Sequence, residues 1–394
     1  MIPSCSVNDP TPYAPGWLGK YCEIMGNDCA PWSYHILAGM LTMSSVIGRR
    51  AALVRPAGTL WPPTSILLLG PSGTGKSLAL LKAVRVAQAA MAGDEAFYIG
   101  TGGFTVAGAR AEWQRRQRHA HADILEGLHI EDEIATIVKE RTGTETITSW
   151  LIRCLSHTDL VELLRGEGRI EIRGFTVAFG FGSTIAYLRR SVSIDEFTGG
   201  LMHRFVIAHE AQQRDGPETT PTEAQIGALA ADLRNIRERA PATIVVPSEV
   251  EQRLLMLRAQ ARRRGFDSIH LTGYWNRYSM LVLKFASLYA LAVGGSAITI
   301  AAIDTAVSLL DTKLYPVLES VIDEIAAPPQ KKRMLEIADS LQAAGPDGWN
   351  MELFYKKLDA TSPRAQVDAL QAMVAAGLAW QNGLQVFGRK EWSL

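Results

Sequence analysis

Apolar positions along this chain form two kinds of pattern, short continuous runs and longer segments with helical spacing. The short runs, at residues 65–69, 97–100, 127–130 and 175–181, have the length and composition of buried strands. Segments with apolar residues at helical spacing lie between them. This alternation predicts a mainly parallel sheet with helices on both faces, and therefore an α/β fold, between about residues 62 and 209.

The regions that flank this core have mainly helical patterns. Residues 1–55 carry helical apolar spacing and predict a helical N-terminal segment. A polar stretch rich in Pro, Gly and Thr at residues 211–221 predicts a surface loop or linker. We expect the core to cover residues 56–215 and a helical lid subdomain to cover residues 216–327, up to the break at residues 328–329.

Residues 328–394 show the order helix, helix, helix and hairpin. The third helix is predicted to start at Ser362, with Pro363 at its first position, and Asn382-Gly383 between two apolar runs predicts a tight hairpin turn. This order is typical of a winged helix, whose third helix commonly enters the major groove of DNA. Basic and acidic residues nearly balance here, so DNA binding and docking of a protein are equal alternatives.

Composition restricts the class of protein without selecting a function. Of 394 residues, 47% are hydrophobic and 20% charged, and the formal net charge is zero, so contacts with nucleic acid would have to come from local patches. The four cysteines fit neither a zinc motif nor a disulfide framework. The start MIPSCSVNDP does not read as a signal peptide and Lys284 interrupts the apolar stretch 281–295, so we expect a cytoplasmic protein with no membrane partner.

The most specific motif follows the first predicted strand of the core. Residues 70–77 read GPSGTGKS and fill every position of G-x-x-x-x-G-K-[ST] between a strand and a helix. Backbone N–H groups of such a loop surround phosphate oxygens, and the helix start adds its positive dipole end. Lys76 would therefore reach the β- and γ-phosphates of ATP, and Ser77 would bind Mg²⁺. The predicted nucleotide-binding residues are Gly70, Pro71, Ser72, Gly73, Thr74, Gly75, Lys76 and Ser77.

An acidic run follows the third predicted strand. Hydrolysis of a nucleoside triphosphate needs one carboxylate near Mg²⁺ and another that orients or activates the attacking water. We assign Asp132 to the magnesium ion and Glu133 to the water, with Glu131 as the alternative register. An acidic helix start is the competing explanation, which we weigh lower because the glycine-rich motif precedes this run.

Two hydroxyl side chains, Ser183 and Thr184, end the fourth predicted strand. A hydroxyl at this place can reach a γ-phosphate or its attacking water, which makes the pair a candidate sensor of the bound nucleotide. An ordinary Ser/Thr cap of the following helix explains the same residues equally well. The two explanations stay open at the level of sequence.

Arg204 lies between apolar residues in the segment GLMHRFV at 200–206. A structural ion pair and a contact with transition-state charge on a phosphoryl group both suit its planar cation. The segment resembles the LLSRF segment of minichromosome-maintenance (MCM) helicases, although His203 and Val206 depart from that pattern. From about residue 49 to 310, the order of motifs is similar to that of the ATPase-helicase domains of phage and plasmid replication proteins.

This resemblance implies a fold, an assembly and an activity. The fold would be a P-loop NTPase (AAA+-like) core with a helical lid, and the assembly a ring, most simply a hexamer. Arg204 would enter the neighbour's nucleotide site, and Arg277 would be the second sensor of the lid. The implied activity is that of an ATP-hydrolysing motor on single-stranded or forked DNA, a replicative helicase of a mobile element. The alternative is a non-helicase AAA+ switch that assembles on DNA and recruits or loads another replication protein.

Two groups of arginines are candidate DNA contacts. In similar helicases a hairpin before the sensor strand projects basic residues into the ring channel, and residues 163–173 would form it with Arg165, Arg169 and Arg173. A solvated hairpin is an equal alternative, because glutamates alternate with these arginines. The second group is typical of a solvated helix face, with DNA contact as the less favoured alternative. It consists of Arg110, Arg115, Arg116 and Arg118.

Overall fold

The computed structural model divides the chain into two compact units, Met1–Ile322 and Asp323–Leu394. The structure describes residues 3–55, 58–103, 105–121, 123–134, 141–142, 145–157, 160–164, 168–191, 200–217, 219–267, 271–325, 337, 341, 349–358, 370–371, 373–374, 379–382 and 385–388. Among these, no helix combines the length and apolar character that crossing a membrane requires.

Strands and helices alternate in the first unit. The strands are β1 (Leu53–Arg55), β2 (Gly58–Leu60), β3 (Ser65–Leu69), β4 (Tyr98–Thr101), β5 (Glu126–Glu131), β6 (Arg141–Thr142), β7 (Glu145–Thr146), β8 (Leu160–Leu164), β9 (Gly168–Ile172), β10 (Thr176–Ser183) and β11 (Phe205–His209). The helices up to residue 325 are α1 (Trp17–Met25), α2 (Trp32–Ile47), α3 (Lys76–Ala90), α4 (Val106–His119), α5 (Ile147–Cys154), α6 (Ile185–Ser191), α7 (Glu223–Arg239), α8 (Ser248–Asp267), α9 (Thr272–Ala292), α10 (Ile300–Leu309) and α11 (Tyr315–Ile325). A π-helical turn, Leu310–Leu314, joins α10 to α11.

A parallel five-stranded sheet with the order β11-β3-β10-β5-β4 forms the centre of this unit. Every residue of β3, β10 and β11 is buried, as expected of parallel strands that are covered on both faces. The four strands predicted from continuous apolar runs are all present, with their ends shifted by no more than two residues. The mixed α/β class is therefore confirmed, whereas β11 was not predicted as a strand.

Helices α2 and α3 cover one face of the sheet. A Cβ added at Gly180 in β10 would lie 2.5 Å from a side-chain atom of Leu41 in α2 and 2.9 Å from one of Leu80 in α3. A glycine at this position therefore lets both helices approach the sheet closely. Helix α2 is buried from Ser33 to Ile47, so the N-terminal region contributes a central helix to the core.

Aromatic side chains fill the space on the β4–β5 side of the sheet. The rings of Trp113 in α4 and Trp150 in α5 stack with their centroids 5.3 Å apart, and Trp113 contacts Phe175 at 4.7 Å. Tyr98 Oη lies 2.9 Å from Nδ1 of His129, and the two rings are stacked. Burial lowers the pKa of His129 to about 3, so this histidine is a neutral part of the core.

The register of the sheet decides which loops meet. Leu69 at the end of β3 pairs with Ser183 of β10 and with His209 of β11, and Glu131 at the end of β5 pairs with Phe181. The segments that follow β3, β5, β10 and β11 therefore share the carboxyl edge of the sheet. Phe205 pairs with Ser65 at the first residues of β11 and β3, so the residues just before them lie at the amino edge.

The second unit contains β12 (Trp349–Asn350), α12 (Met351–Leu358), β13 (Ala379–Asn382) and β14 (Gln385–Gly388). Its strands form an antiparallel sheet in the order β12-β14-β13. A small apolar core consists of Ile337, Leu341, Phe354, Leu370, Met373, Ala379 and Val386, with Trp349 packed against it. The predicted short helix and both hairpin strands are present, whereas the predicted helix start at Ser362 lies outside the described residues.

Candidate functional site

The glycine-rich loop, residues 70–75, connects β3 to α3 at the carboxyl edge of the sheet. Gly73 and Gly75 have φ values of +86° and +89°, in the left-handed region that favours glycine. A Cβ on Gly75 would also lie 2.6 Å from the Cβ of Ala30, so this loop lies directly against the N-terminal region. Helix α3 begins at Lys76, and its first N–H groups are therefore at the end of the loop.

The ammonium group of Lys76 lies inside the glycine-rich loop. Its Nζ donates hydrogen bonds to the carbonyl oxygens of Gly70 and Pro71, at 2.7 Å each. Burial lowers the pKa of Lys76, and the nearby carboxylates of Glu133 and Asp132 oppose this shift. The ammonium group of Lys76 therefore lies close enough to both carboxylates for their charges to interact.

The three residues of the acidic run have different environments at the end of β5. Glu131 is the last residue of the strand, it is buried, and burial raises the pKa of its carboxyl group. Asp132 and Glu133 instead line a cavity of about 640 Å³ together with Lys76 and Ser77. We call this space the carboxyl-edge cavity. The structure places Asp132 and Glu133 beside the loop, whereas Glu131 belongs to the strand.

Ser183 and Thr184 have different contacts. Ser183 Oγ donates a hydrogen bond to Oε1 of Glu133, and the carbonyl of Ser183 accepts one from Gly70 N at 3.2 Å. Thr184 Oγ1 accepts a hydrogen bond from Tyr187 N at 3.1 Å. This is the contact of an N-cap residue, and Thr184 directly precedes α6. Ser183 therefore links the glycine-rich loop to Glu133, while Thr184 caps the helix and also lines the carboxyl-edge cavity.

Two walls of the carboxyl-edge cavity were not predicted. One is the N-terminal loop with Asp28 and Cys29, and the other is the polar stretch with Gln213. Gln213 Nε2 donates a hydrogen bond to the carbonyl oxygen of Gly73. These segments lie far apart in the sequence, and neither carries a motif, so only the fold could bring them to the loop.

Arg214 holds these two walls together. Its guanidinium group donates to the carbonyl of Asp28 at 2.7 Å and to that of Ala30 at 3.2 Å, and its Cζ lies 3.7 Å from the ring centroid of Trp32. Burial lowers the pKa of Arg214, and the charge of Asp28 opposes this shift. The stretch that was predicted as a surface loop or linker is therefore fixed against the N-terminal loop.

Arg204 lies at the amino edge of the sheet, away from the carboxyl-edge cavity. It directly precedes β11, whose five residues span roughly 17 Å at the usual rise per residue. Its Nη1 donates to the carbonyl of Gly200 at 2.7 Å, and among the described residues it has no ion-pair partner. Burial, with a contribution from Arg277, lowers the pKa of Arg204 to about 10.

Arg277 lies at the same edge, on helix α9. A Cβ on Gly273, one turn before Arg277, would approach Nδ1 of His203 to 2.1 Å, and Nζ of Lys284, two turns after it, donates to the carbonyl of Pro63 at 2.6 Å. These contacts place this face of α9 against the segments that precede β11 and β3. They bring Arg277 together with Arg204 and leave both apart from Lys76.

The candidate DNA contacts on the hairpin are described only in part. Strands β8 and β9 form the predicted hairpin, but Arg165 lies outside the described residues, and only the strand position of Arg169 is described. Arg173 is exposed, and its Nε lies 2.9 Å from a carboxylate oxygen of Glu171. Its charge is therefore paired within the hairpin.

Three arginines of α4 also have interaction partners. Nε of Arg115 and Nε of Arg116 lie 2.8 and 2.6 Å from the carboxylate of Glu112, and Arg110 lies over the ring of Trp150 at 5.9 Å. These contacts fit the solvated helix face that the sequence favoured. Arg118 is exposed near the end of the same helix.

No family model and no curated protein matches this chain. Fold and site therefore define its class by themselves. It is a mixed α/β protein with a parallel five-stranded sheet, and a glycine-rich loop, a buried lysine and two carboxylates meet at the carboxyl edge of that sheet. Ligands of open parallel sheets commonly bind at this edge.

Proposed function

We propose that this chain is an ATPase that assembles into a ring and acts as a motor on DNA, most simply as the replicative helicase of a mobile element. The observation that carries the proposal is the convergence of Lys76, Asp132 and Glu133 on one cavity beside a glycine-rich loop. The motif order and the resemblance to MCM-like helicases narrow the proposal from an ATPase to a motor on DNA.

The residues of the carboxyl-edge cavity fit Mg²⁺ and ATP. Open space lies beside Gly73, where a Cβ would contact nothing within 4 Å, and the N-terminal end of α3 adds a positive dipole end. The ammonium of Lys76 lies at the same loop, and the exposed side chain of Ser77 lines the cavity. The backbone of the loop and Lys76 would hold the phosphates, and Ser77 and Asp132 would hold the metal ion.

Bound ATP with Mg²⁺ supplies the phosphoryl group that is transferred to water. Lys76 stabilises negative charge on the phosphate oxygens, and the carboxylate of Glu133 accepts a hydrogen bond from the attacking water and takes its proton. The hydroxyl of Ser183 donates to Glu133 and so holds this carboxylate in one orientation. Ser183 is therefore proposed as a positioning residue.

The position of Arg204 supports a site that two copies of the chain share. Arg204 and Arg277 lie at the amino edge, whereas Lys76 lies at the carboxyl edge of the same sheet. In a ring, the amino edge of one copy can face the carboxyl-edge cavity of the next, which joins the two sets of residues. Heterologous contacts of this kind close into rings. We propose a hexamer in which Arg204 contacts the neighbour's nucleotide, with Arg277 beside it.

The second unit is proposed as a winged helix. Its described part, helix α12 followed by paired strands β13 and β14 around a small core, is compatible with the predicted order of elements. Binding of DNA and docking of a replication or loader protein are equal roles for this unit.

DNA-dependent activity tests the proposal against its alternative. For a helicase, single-stranded DNA raises the steady-state ATPase rate of the assembled protein, and the protein displaces a strand from a forked duplex. Lys76→Ala abolishes both activities and controls for contaminating ATPases. A non-helicase switch instead assembles with ATP, turns over slowly and unwinds nothing. An ATPase rate that is equal with and without DNA, together with an intact fork, contradicts the helicase.

A further inference from the structure

We propose that the outward face of helix α8 binds the backbone of single-stranded DNA through Arg258, Arg262 and Arg263. The inference rests on the proposed function, because it assigns a DNA contact to the proposed motor. It assigns that contact to residues outside both arginine groups that the sequence singled out.

Helix α8 carries a local concentration of positive charge, which is not visible in the net charge of the whole chain. Glu249 and Glu251 are in its first turn and Asp267 is its last residue. Between Glu251 and Asp267 the helix contains only neutral residues and arginines. The chain as a whole has no net charge, so this segment is a local basic patch.

Ion pairs separate the arginines of α8 into two groups. Arg253 pairs with Asp304 and Arg264 pairs with Asp311, each with an N–O distance of 3.1 Å, so these two fix α8 to the neighbouring helices. The other three arginines are exposed, and within the part of the chain that the structure describes they have no ion-pair partner. They are Arg258, Arg262 and Arg263.

The three unpaired arginines are all exposed and are spread over a wide arc of α8. Positions 258 and 262 are one turn apart, which places their Cβ atoms about 5–6 Å from each other, and position 263 lies about 100° further around the helix. Leu254 is buried one turn before Arg258, so Arg258 lies at the edge of the buried face that Leu254 forms with Leu257 and Ala261. The arginines therefore form a broad exposed basic surface, where charge complementarity favours a polyanion.

Two exposed apolar side chains on the same helix favour single-stranded over duplex DNA as the ligand. Leu255 and Met256, two turns before Arg262 and Arg263 on the same side of the helix, are 61% and 53% exposed. A single strand offers unpaired bases beside its phosphates, and apolar side chains can contact these bases, whereas a duplex keeps the base faces stacked inside. Arginines next to exposed apolar residues therefore fit a single strand.

The other candidate arginines compete less well for phosphates. Arg173 and Arg115 are exposed, but each is paired with a neighbouring glutamate. An arginine in an ion pair must lose that partner before it contacts a phosphate, whereas the three arginines of α8 lose only water.

Fluorescence anisotropy with labelled oligo(dT) tests the inference. The test variant is Arg258→Gln/Arg262→Gln/Arg263→Gln, and the matched control is Arg50→Gln/Arg85→Gln/Arg239→Gln, which removes the same charge from arginines that are not candidate DNA contacts. Loss of three phosphate contacts makes the negative slope of log K against log salt shallower by about 2, and it lowers the affinity on the order of 100-fold at about 0.1 M salt. The control variant keeps affinity and slope close to those of the unmodified protein.

Separate measurements distinguish failure of this inference from failure of the proposed function. A fluorescent ATP analogue measures nucleotide binding in the same samples. If the unmodified protein binds the analogue but not oligo(dT), both the α8 surface and the motor on DNA are wrong. If the test variant binds oligo(dT) as the unmodified protein does, only the α8 surface is wrong.

Two further readouts complete the test. The single variant Arg262→Glu changes one exposed side chain and gives a smaller loss in the same direction, which covers the case in which the triple variant does not fold. A loss of binding to duplex DNA with binding to oligo(dT) unchanged would overturn the assignment to a single strand.

Discussion

At the scale of single residues, a buried ion pair lies next to the carboxyl-edge cavity. Asp28 accepts hydrogen bonds from the ammonium of Lys82, from the N–H of Ala30 at 2.7 Å and from Nε2 of His35 at 2.9 Å. Burial alone would raise the pKa of Asp28, but these hydrogen bonds and charges lower it to about 2. Since Lys82 belongs to α3, the pair fixes the N-terminal loop to the helix that follows the glycine-rich loop.

Asp28→Asn is expected to lower the free energy of unfolding by about 3–5 kcal/mol, because it leaves the Lys82 ammonium buried without its carboxylate. The matched control is Asp232→Asn. Asp232 forms an exposed pair with Lys20, so its loss should cost less than about 1 kcal/mol. Urea denaturation measures both values, and equal effects of the two substitutions would contradict the role given to Asp28.

The same pair predicts a dependence on pH. The pKa of Asp28 is lower in the folded protein than its ordinary value of 3.8, so its carboxylate stabilises the fold above about pH 4. This contribution, about 2 kcal/mol, is lost as the pH falls through about 2. The difference in stability between the unmodified protein and Asp28→Asn should therefore shrink in acid. A difference that stays constant below about pH 4 would contradict the assignment.

At the level of secondary-structure elements, the end of β10 and the start of α6 give two neighbouring hydroxyls different contacts. The sequence alone did not distinguish between them. Ser183 donates to Glu133, whereas Thr184 caps α6. Ser183→Ala should reduce kcat about tenfold with little change in KM for ATP, because it removes a donor that orients the proposed base. Thr184→Ala should instead cost about 1 kcal/mol of stability, because it removes a helix cap.

Steady-state kinetics and thermal unfolding of both variants check this division. Ser183→Thr keeps a hydroxyl on the same backbone position and should recover part of kcat. A loss of kcat on Thr184→Ala that equals the loss on Ser183→Ala would show that both hydroxyls act as sensors.

The sequence predicted the elements better than their contacts. Continuous apolar runs located β3, β4, β5 and β10, because strands that are buried on both faces leave this pattern. The motif at residues 70–77 and the acidic run were also recognisable, since their chemistry depends on local spacing.

Long-range contacts account for what the sequence did not predict. Gln213 and Asp28 lie far apart in the chain, and no local pattern indicates that both line one cavity. The separation of Arg204 from Lys76 likewise follows from the pairing of β11 with β3. Such pairings depend on the fold of the whole sheet, so a single sequence carries no direct sign of them.

At the scale of the whole molecule, the two edges of the sheet carry different parts of the proposed site. The carboxyl edge holds the glycine-rich loop, Asp132 and Glu133, and the amino edge holds Arg204 and Arg277. One copy cannot bring these parts together, because the length of β11 separates them. We therefore propose that ATP is hydrolysed at a site that two copies of the chain complete.

Mixing two inactive variants shows whether two copies of the chain share one site. Arg204→Ala protein keeps Lys76 and Glu133, and Glu133→Gln protein keeps Arg204, so a mixed ring contains some complete sites. For random assembly at equal amounts, we expect an ATPase rate of roughly a quarter of that of the unmodified protein, although each variant alone is inactive. Absence of activity at every mixing ratio, with mixed assembly shown by exchange of labelled subunits, would contradict it.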